Sequence, residues 1–338
     1  MSGIWLTRLQ LVTMTSEVLG YKSGLALSRR ELTKLMPKDV RTLWRGDDDA
    51  ILRLRPEQME QIIAYALHAV GNIPDHDIAP FGIRVIRKYF RTEAFPVVED
   101  LMKQLPAYMR AGMNAAEAQR LKAVDPRPFF DYAMHTHGIL GGQIALELAA
   151  DLNLVLHRSP WGMSRQVSWV DTVELKALFQ KESLETQYGT FFDQRYIDFL
   201  ARNFDSIDSI NWRKFEGLTC EYFEREGFHV QIGSGRNDNN VDARIWPVEP
   251  QEDLPPAILV QCKRQKEKIG KMVVKALWAD VVHEKAESGL IVTTSSLSLG
   301  AKKICTARNY PVDEADRNTL ATWINRMRTP HTGVIFGE

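Results

Sequence analysis

Cysteine is scarce in this chain. Three residues, Cys220, Cys262 and Cys305, are spread over 338 positions with no CxxC pair. That spacing excludes a thiolate zinc site and a disulfide framework. An excess of charge is also missing, because 43 Lys and Arg balance 43 Asp and Glu. Any surface that meets phosphates therefore has to be local. No apolar run approaches the roughly 20 residues needed to span a bilayer. The first residues mix Trp5, Arg8 and Gln10 into apolar positions, unlike a signal peptide. A cytoplasmic protein with no membrane partner is expected. The eight histidines are scattered. The closest pair, His135 and His137, lies in a helical-looking stretch without cysteine partners and makes a poor metal site. Asp47-Asp48-Asp49 reads as a polar loop.

Two domains are expected from the length. Residues 1–200 read as a mainly α-helical domain. Ser28 and Glu31 have capping-box spacing, and Pro56 suits the first turn of a helix that Gly71 stops. Ile144, Leu148 and Leu152 fall on one helical face. Residues 155–170, with Pro160-Trp161-Gly162, read as loop or short strand, and 173–181 as helix. Arg84, Arg87, Lys88 and Arg91 share helical spacing, which suits a DNA-contacting face or an ordinary exposed one equally.

From about residue 210 the texture changes, and 205–330 reads as a second domain. A helix over 215–226 closes at Gly227. Strands are expected over 228–232, 241–246 and 257–262, a helix over 271–285, a strand over 290–294, and helices over 299–307 and 320–327. Turn-rich segments occupy 233–240 and 247–256. The order α-β-β-β-α-β-α predicts an α/β fold, a mixed sheet flanked by helices.

Two of these strands carry chemistry. Gln261 and Lys263 are two apart on a strand, so their side chains leave the same face. If the strand bearing Asp242 is the hairpin partner, a carboxylate, an amide oxygen and an ammonium gather at one sheet edge. Mg²⁺ prefers hard oxygen ligands. Asp242, Gln261 and the main-chain carbonyl of Cys262 offer three, and Mn²⁺ is the expected substitute. Lys263 is placed to orient a water or stabilise a phosphate, and Glu216 on the preceding helix to assist. Arg264, Lys266, Lys268, Lys271 and Lys275 follow with Glu267 as the one counter-charge, which suits a phosphate track. Thr293, Thr294 and Ser295 end a strand and are expected to cap the next helix or touch a phosphate. Gly233-Ser234-Gly235-Arg236 is not followed by GKS or GKT and is no P-loop.

In order, Phe215-Glu216-Gly217-Leu218, Gly227-Phe228-His229-Val230, Gly233-Ser234-Gly235, Val241-Asp242, Val260-Gln261-Cys262-Lys263 and Gly289-Leu290-Ile291-Val292-Thr293-Thr294-Ser295 resemble the Mrr-type branch of the PD-(D/E)xK restriction endonucleases. In that branch glutamine replaces the usual glutamate, giving D…QxK. The resemblance covers roughly residues 205–328. It assigns Asp242, Gln261 and Lys263 to the catalytic trio and Glu216 to the helix glutamate. It departs at Asn239-Asn240, where the family usually has glycines. It implies a Mg²⁺-dependent DNA endonuclease in restriction or antiphage defence. It also leads us to expect a homo-oligomer, a defence-system partner protein, and a recognition role for residues 1–200. An inactive nuclease fold that binds nucleic acid, or a nuclease for branched DNA or RNA, stays open as an alternative.

Overall fold

A computed structural model describes residues 3–119, 124–162, 169–235, 241–250 and 254–328. They form two compact units, one built from residues 3–68 and 72–172, the other from Ala69–Gly71 and 173–328.

The first unit is helical with a small ribbon. Its elements are β1 (Ile4–Thr7), α1 (Arg8–Ser23), β2 (Leu25–Ala26), α2 (Arg29–Leu35), α3 (Lys38–Leu43), β3 (Ile51–Leu54), α4 (Pro56–Ala69), α5 (Ile83–Tyr89), α6 (Phe95–Ala118) and α7 (Arg127–Arg158). The Ser28–Glu31 capping box opens α2 as expected. The β1–β3 antiparallel pair was not anticipated from the sequence. The helix α7 corrects one expectation: broken at Gly138, where φ is +62°, it runs on to Arg158, into the stretch read as loop. Within this unit its apolar face packs on α6, with Ile144, Ala145 and Leu148 against Val98, Leu101 and Leu105. Its buried Asp151 accepts the Gly82 amide at 2.7 Å.

The second unit carries β4 (Val173–Glu174), α8 (Ala177–Gln180), α9 (Gln194–Arg202), a 3-10 turn (Phe204–Ser209), α10 (Trp212–Arg225), β5 (His229–Ile232), β6 (Ala243–Trp246), β7 (Ile258–Lys263), α11 (Lys271–His283), β8 (Ser288–Thr293), α12 (Leu299–Arg308), β9 (Val312–Ala315) and α13 (Arg317–Met327). The helix expected over 173–181 is therefore a two-residue strand and one turn. The sheet order is β5-β6-β7-β8-β9. Pairing is antiparallel across β5–β6 and β6–β7, and parallel across β7–β8 and β8–β9.

Local chemistry sets these elements. Asn211 caps α10 by accepting the Arg213 amide. At the other end Gly227 takes φ +90° and the Phe228 amide bonds back to Phe223, a left-handed closure that glycine adopts without strain. Strand β7 is apolar on both faces because both faces are covered. On one side Leu259 and Ile291 pack with Val274, Leu277 and Val281. On the other, the Cys262 thiol meets Thr219 of α10 at 3.6 Å. Trp323 of α13 stacks on Tyr222 of α10 at 4.1 Å between ring centroids.

Asp198 on α9 is buried, and burial pushes its carboxyl from 3.8 up to about 7 despite the Gln194 amide at 3.1 Å. The folded state holds this proton to higher pH than the unfolded chain, so stability falls as pH rises from about 4 to about 7. A rise of that size corresponds to roughly 4 kcal/mol. Asp198→Asn should match the parent in urea unfolding near pH 3. It should be more stable than the parent at pH 8, by an amount approaching that figure.

Candidate active site

Asp242 directly precedes β6, which is antiparallel to β7 with Ala243 opposite Val260. Its amide donates to the Val260 carbonyl at 2.8 Å, and its carbonyl accepts the Gly233 amide at 2.8 Å. Its Oδ2 accepts the Cys262 amide at 2.6 Å. The carboxylate therefore rests on the backbone of the residue between Gln261 and Lys263. Antiparallel pairing is the cause, since it sets the start of β6 beside the end of β7.

Gln261 is 3% exposed, and its Oε1 is buried with no hydrogen-bond partner among the described residues. A buried amide oxygen left unpaired costs on the order of 1–3 kcal/mol. Lys263 follows on the same face, only partly buried. Cys262 points the other way, toward α10. Burial raises its thiol well above the ordinary range, with the Asp242 carboxylate next in effect and Glu216 also contributing.

Glu216 thus approaches the same strand end from the α10 face, opposite Gln261 and Lys263. Its Oε2 is held by Arg213 Nη1 at 2.7 Å, and Arg213 Nη2 donates to the Gly233 carbonyl at 2.7 Å. Sequence reasoning missed this arginine; the i,i+3 spacing to Glu216 was the available signal. Arg236, Asn239 and Asn240 lie outside the described residues.

Among the described residues no group of three or more His, Cys, Asp and Glu is arranged to hold a metal. A site made of one carboxylate, one amide oxygen and a peptide carbonyl is not such a group. An unpartnered amide oxygen and a carboxylate held at the same strand end are nonetheless the donor chemistry a hard divalent cation takes.

Of the basic run, Arg264, Lys266, Lys268 and Lys271 are exposed and Lys275 is partly so. Arg264 donates to the Asp208 carbonyl at 2.8 Å. In the first unit, Arg84 is engaged by Asp75 and Asp151, and Lys88 by Glu147. Those two cations are occupied within their own unit. His137 hydrogen-bonds Asp100 at 2.8 Å.

Comparison with known proteins gives three matches, one of them located in the second unit. A relative from Sinorhizobium fredii, named "Uncharacterized protein y4cE", is 24% identical over 125 residues, 37% of this chain and 32% of its own length. A solved structure described as "MspJI Restriction Endonuclease in Complex with 27-mer Oligonucleotide" is 18% identical with a TM-score of 0.28, covering 54% of this chain and 41% of that one. The chain spans less than half the length of either. The family model described as a restriction endonuclease, Mrr_cat, matches residues 207–324. The α10–α13 region, with its five-stranded mixed sheet, is therefore a restriction-endonuclease domain of the Mrr catalytic type.

Proposed function

We propose that the protein is a Mg²⁺-dependent DNA endonuclease whose active site comprises Asp242, Gln261, Lys263 and Glu216. The observation that carries this reading is the buried, unpartnered Oε1 of Gln261 on a strand end whose next residue, Cys262, donates its amide to the Asp242 carboxylate. Asp242, Gln261 and the Cys262 carbonyl would hold the cation, with Mn²⁺ as a substitute. When bound, the cation would polarise a phosphoryl oxygen and lower the pKa of water. Gln261 presents a neutral oxygen, so only Asp242 of that set contributes negative charge. Lys263 supplies an ammonium from the same face, to orient the attacking water or offset charge growing on the phosphate. Glu216, fixed by Arg213, adds a carboxylate from the α10 side. Water adds to phosphorus, one P–O ester bond breaks, and the released hydroxyl takes up a proton.

Residues 205–330 would form the catalytic domain and 1–200 a target- or partner-recognition module, within restriction or antiphage defence. Cutting both strands requires two such sites, which favours a homo-oligomer, and a defence-system partner protein is a further expectation. The test is cleavage of methylated and unmethylated plasmid with Mg²⁺, Mn²⁺ or EDTA. Cutting should occur with either metal and stop with EDTA. DNA retention without cutting under any metal would instead identify a binding protein with an inactive nuclease fold. Cutting confined to branched DNA or RNA would reassign the substrate.

A further inference from the structure

The end of β8 and the segment after it tie down the end of β7 and the β7–α11 loop. Thr293 Oγ1 donates to the Lys263 carbonyl at 2.8 Å, Thr294 Oγ1 to Gln265 at 3.1 Å, and Ser295 Oγ to Glu267 at 2.9 Å. Further on, the Ile269 amide donates to Ser296 and the Ser298 amide to Ile269, both at 2.9 Å, with Ile269 and Leu297 in the core. Three successive hydroxyls thus take alternate carbonyls of the loop. They do not cap the following helix, since Ser298 caps α12.

The residues between those pinned carbonyls are cationic. Arg264, Lys266 and Lys268 are exposed, and Lys271 follows exposed at the start of α11. Among the described residues Lys266, Lys268 and Lys271 have no ion-pair partner. The contrast is Lys302 on α12, which pairs with Glu314. A loop already ordered loses less conformational freedom when its lysines engage phosphates than a loose one does.

We propose that Thr293, Thr294 and Ser295 are positioning residues that hold segment 263–268 in the form that binds a nucleic-acid phosphate backbone. This rests on the nuclease reading and deepens it. Thr293 fixes the backbone of Lys263 and so acts on turnover. Thr294 and Ser295 fix the loop bearing Lys266 and Lys268 and so act on binding.

The test uses the full chain and a fluorescently labelled DNA duplex, with Ca²⁺ replacing Mg²⁺ and anisotropy read over a range of salt. Thr294→Val with Ser295→Ala should weaken Kd by about tenfold. It should also flatten the log Kd against log salt slope by about one phosphate contact. Thr294→Ser with Ser295→Thr, which keeps both hydroxyls, should bind like the parent. In a parallel cleavage assay with Mg²⁺, Thr293→Val should lower kcat by a larger factor than it raises Kd, and Thr293→Ser should restore kcat. Lys266→Ala with Lys268→Ala is the reference, expected to weaken binding and flatten the slope by about two contacts. If that lysine variant weakens binding but the hydroxyl-deleted variant binds like the parent, the positioning proposal is overturned and the phosphate track stands. If the lysine variant also binds like the parent, the phosphate reading fails and the proposal goes with it. Equal losses in the hydroxyl-deleted and hydroxyl-retaining variants would reduce the role to packing and overturn it too.

Discussion

Asp242→Asn is expected to lower Mg²⁺-dependent plasmid cleavage by about 10³-fold while leaving thermal stability close to the parent's. The size follows from losing a charged ligand, on the order of 4 kcal/mol of transition-state stabilisation. Stability survives because an amide oxygen can still accept the Cys262 amide that Oδ2 accepts at 2.6 Å. Asp242→Ala removes that acceptor as well, so it should lose cleavage and also roughly 1–3 kcal/mol of stability. Lys263→Ala should likewise abolish cutting with the fold intact. Comparing kcat and melting temperature across the three separates chemistry from scaffolding. Undiminished cleavage by both Asp242→Asn and Lys263→Ala would sink the site assignment.

The largest expected effect on stability lies away from the site, at Glu221. Its side chain is 3% exposed. One oxygen accepts three successive backbone amides, Thr190, Phe191 and Phe192, at 2.9, 2.7 and 3.1 Å. The other accepts Arg225 Nε at 2.7 Å. Glu221→Ala strands these donors and leaves Arg225 without its buried carboxylate. Breaking a buried pair from one side costs about 3–5 kcal/mol. In a domain of this size that corresponds to a drop of roughly 10 °C in melting temperature. Glu221→Gln keeps one acceptor oxygen and should recover part of the loss. Differential scanning calorimetry checks both, and a shift under about 2 °C for Glu221→Ala would show that the nest contributes little.

Much of the α10–α13 region was legible because its signals are local. Gly227 announces the end of α10, and an apolar run broken by Gln261 and Lys263 announces β7. What was missed depends on distant partners. Strand β9 reads Val-Asp-Glu-Ala, with no run of β-branched residues. It exists because Pro311 and Val312 pair with Gly289 of β8. Strands β1 and β3 are four residues each and meet across more than forty positions. Thr293, Thr294 and Ser295 resemble capping residues in isolation, and only the fold shows their hydroxyls spent on another loop. Arg213 looks like an ordinary surface helix residue until Gly233 is seen beside it. At the site itself, the sequence placed Gln261 and Lys263 on one face. It could not show that Glu216 comes from the opposite one.

The antiparallel pairing of β6 and β7 also separates two ends of the same ribbon. Asp242 and Gln261 occupy one end. The Trp246–Ala257 connection occupies the other, where Trp246 Nε1 donates to the Leu254 carbonyl at 3.0 Å. Because register is held by the strands, that connection can change length without sliding carboxylate past amide. It is the natural seat for a spectroscopic label or an inserted tag, a handle on the nuclease domain that leaves its chemistry undisturbed.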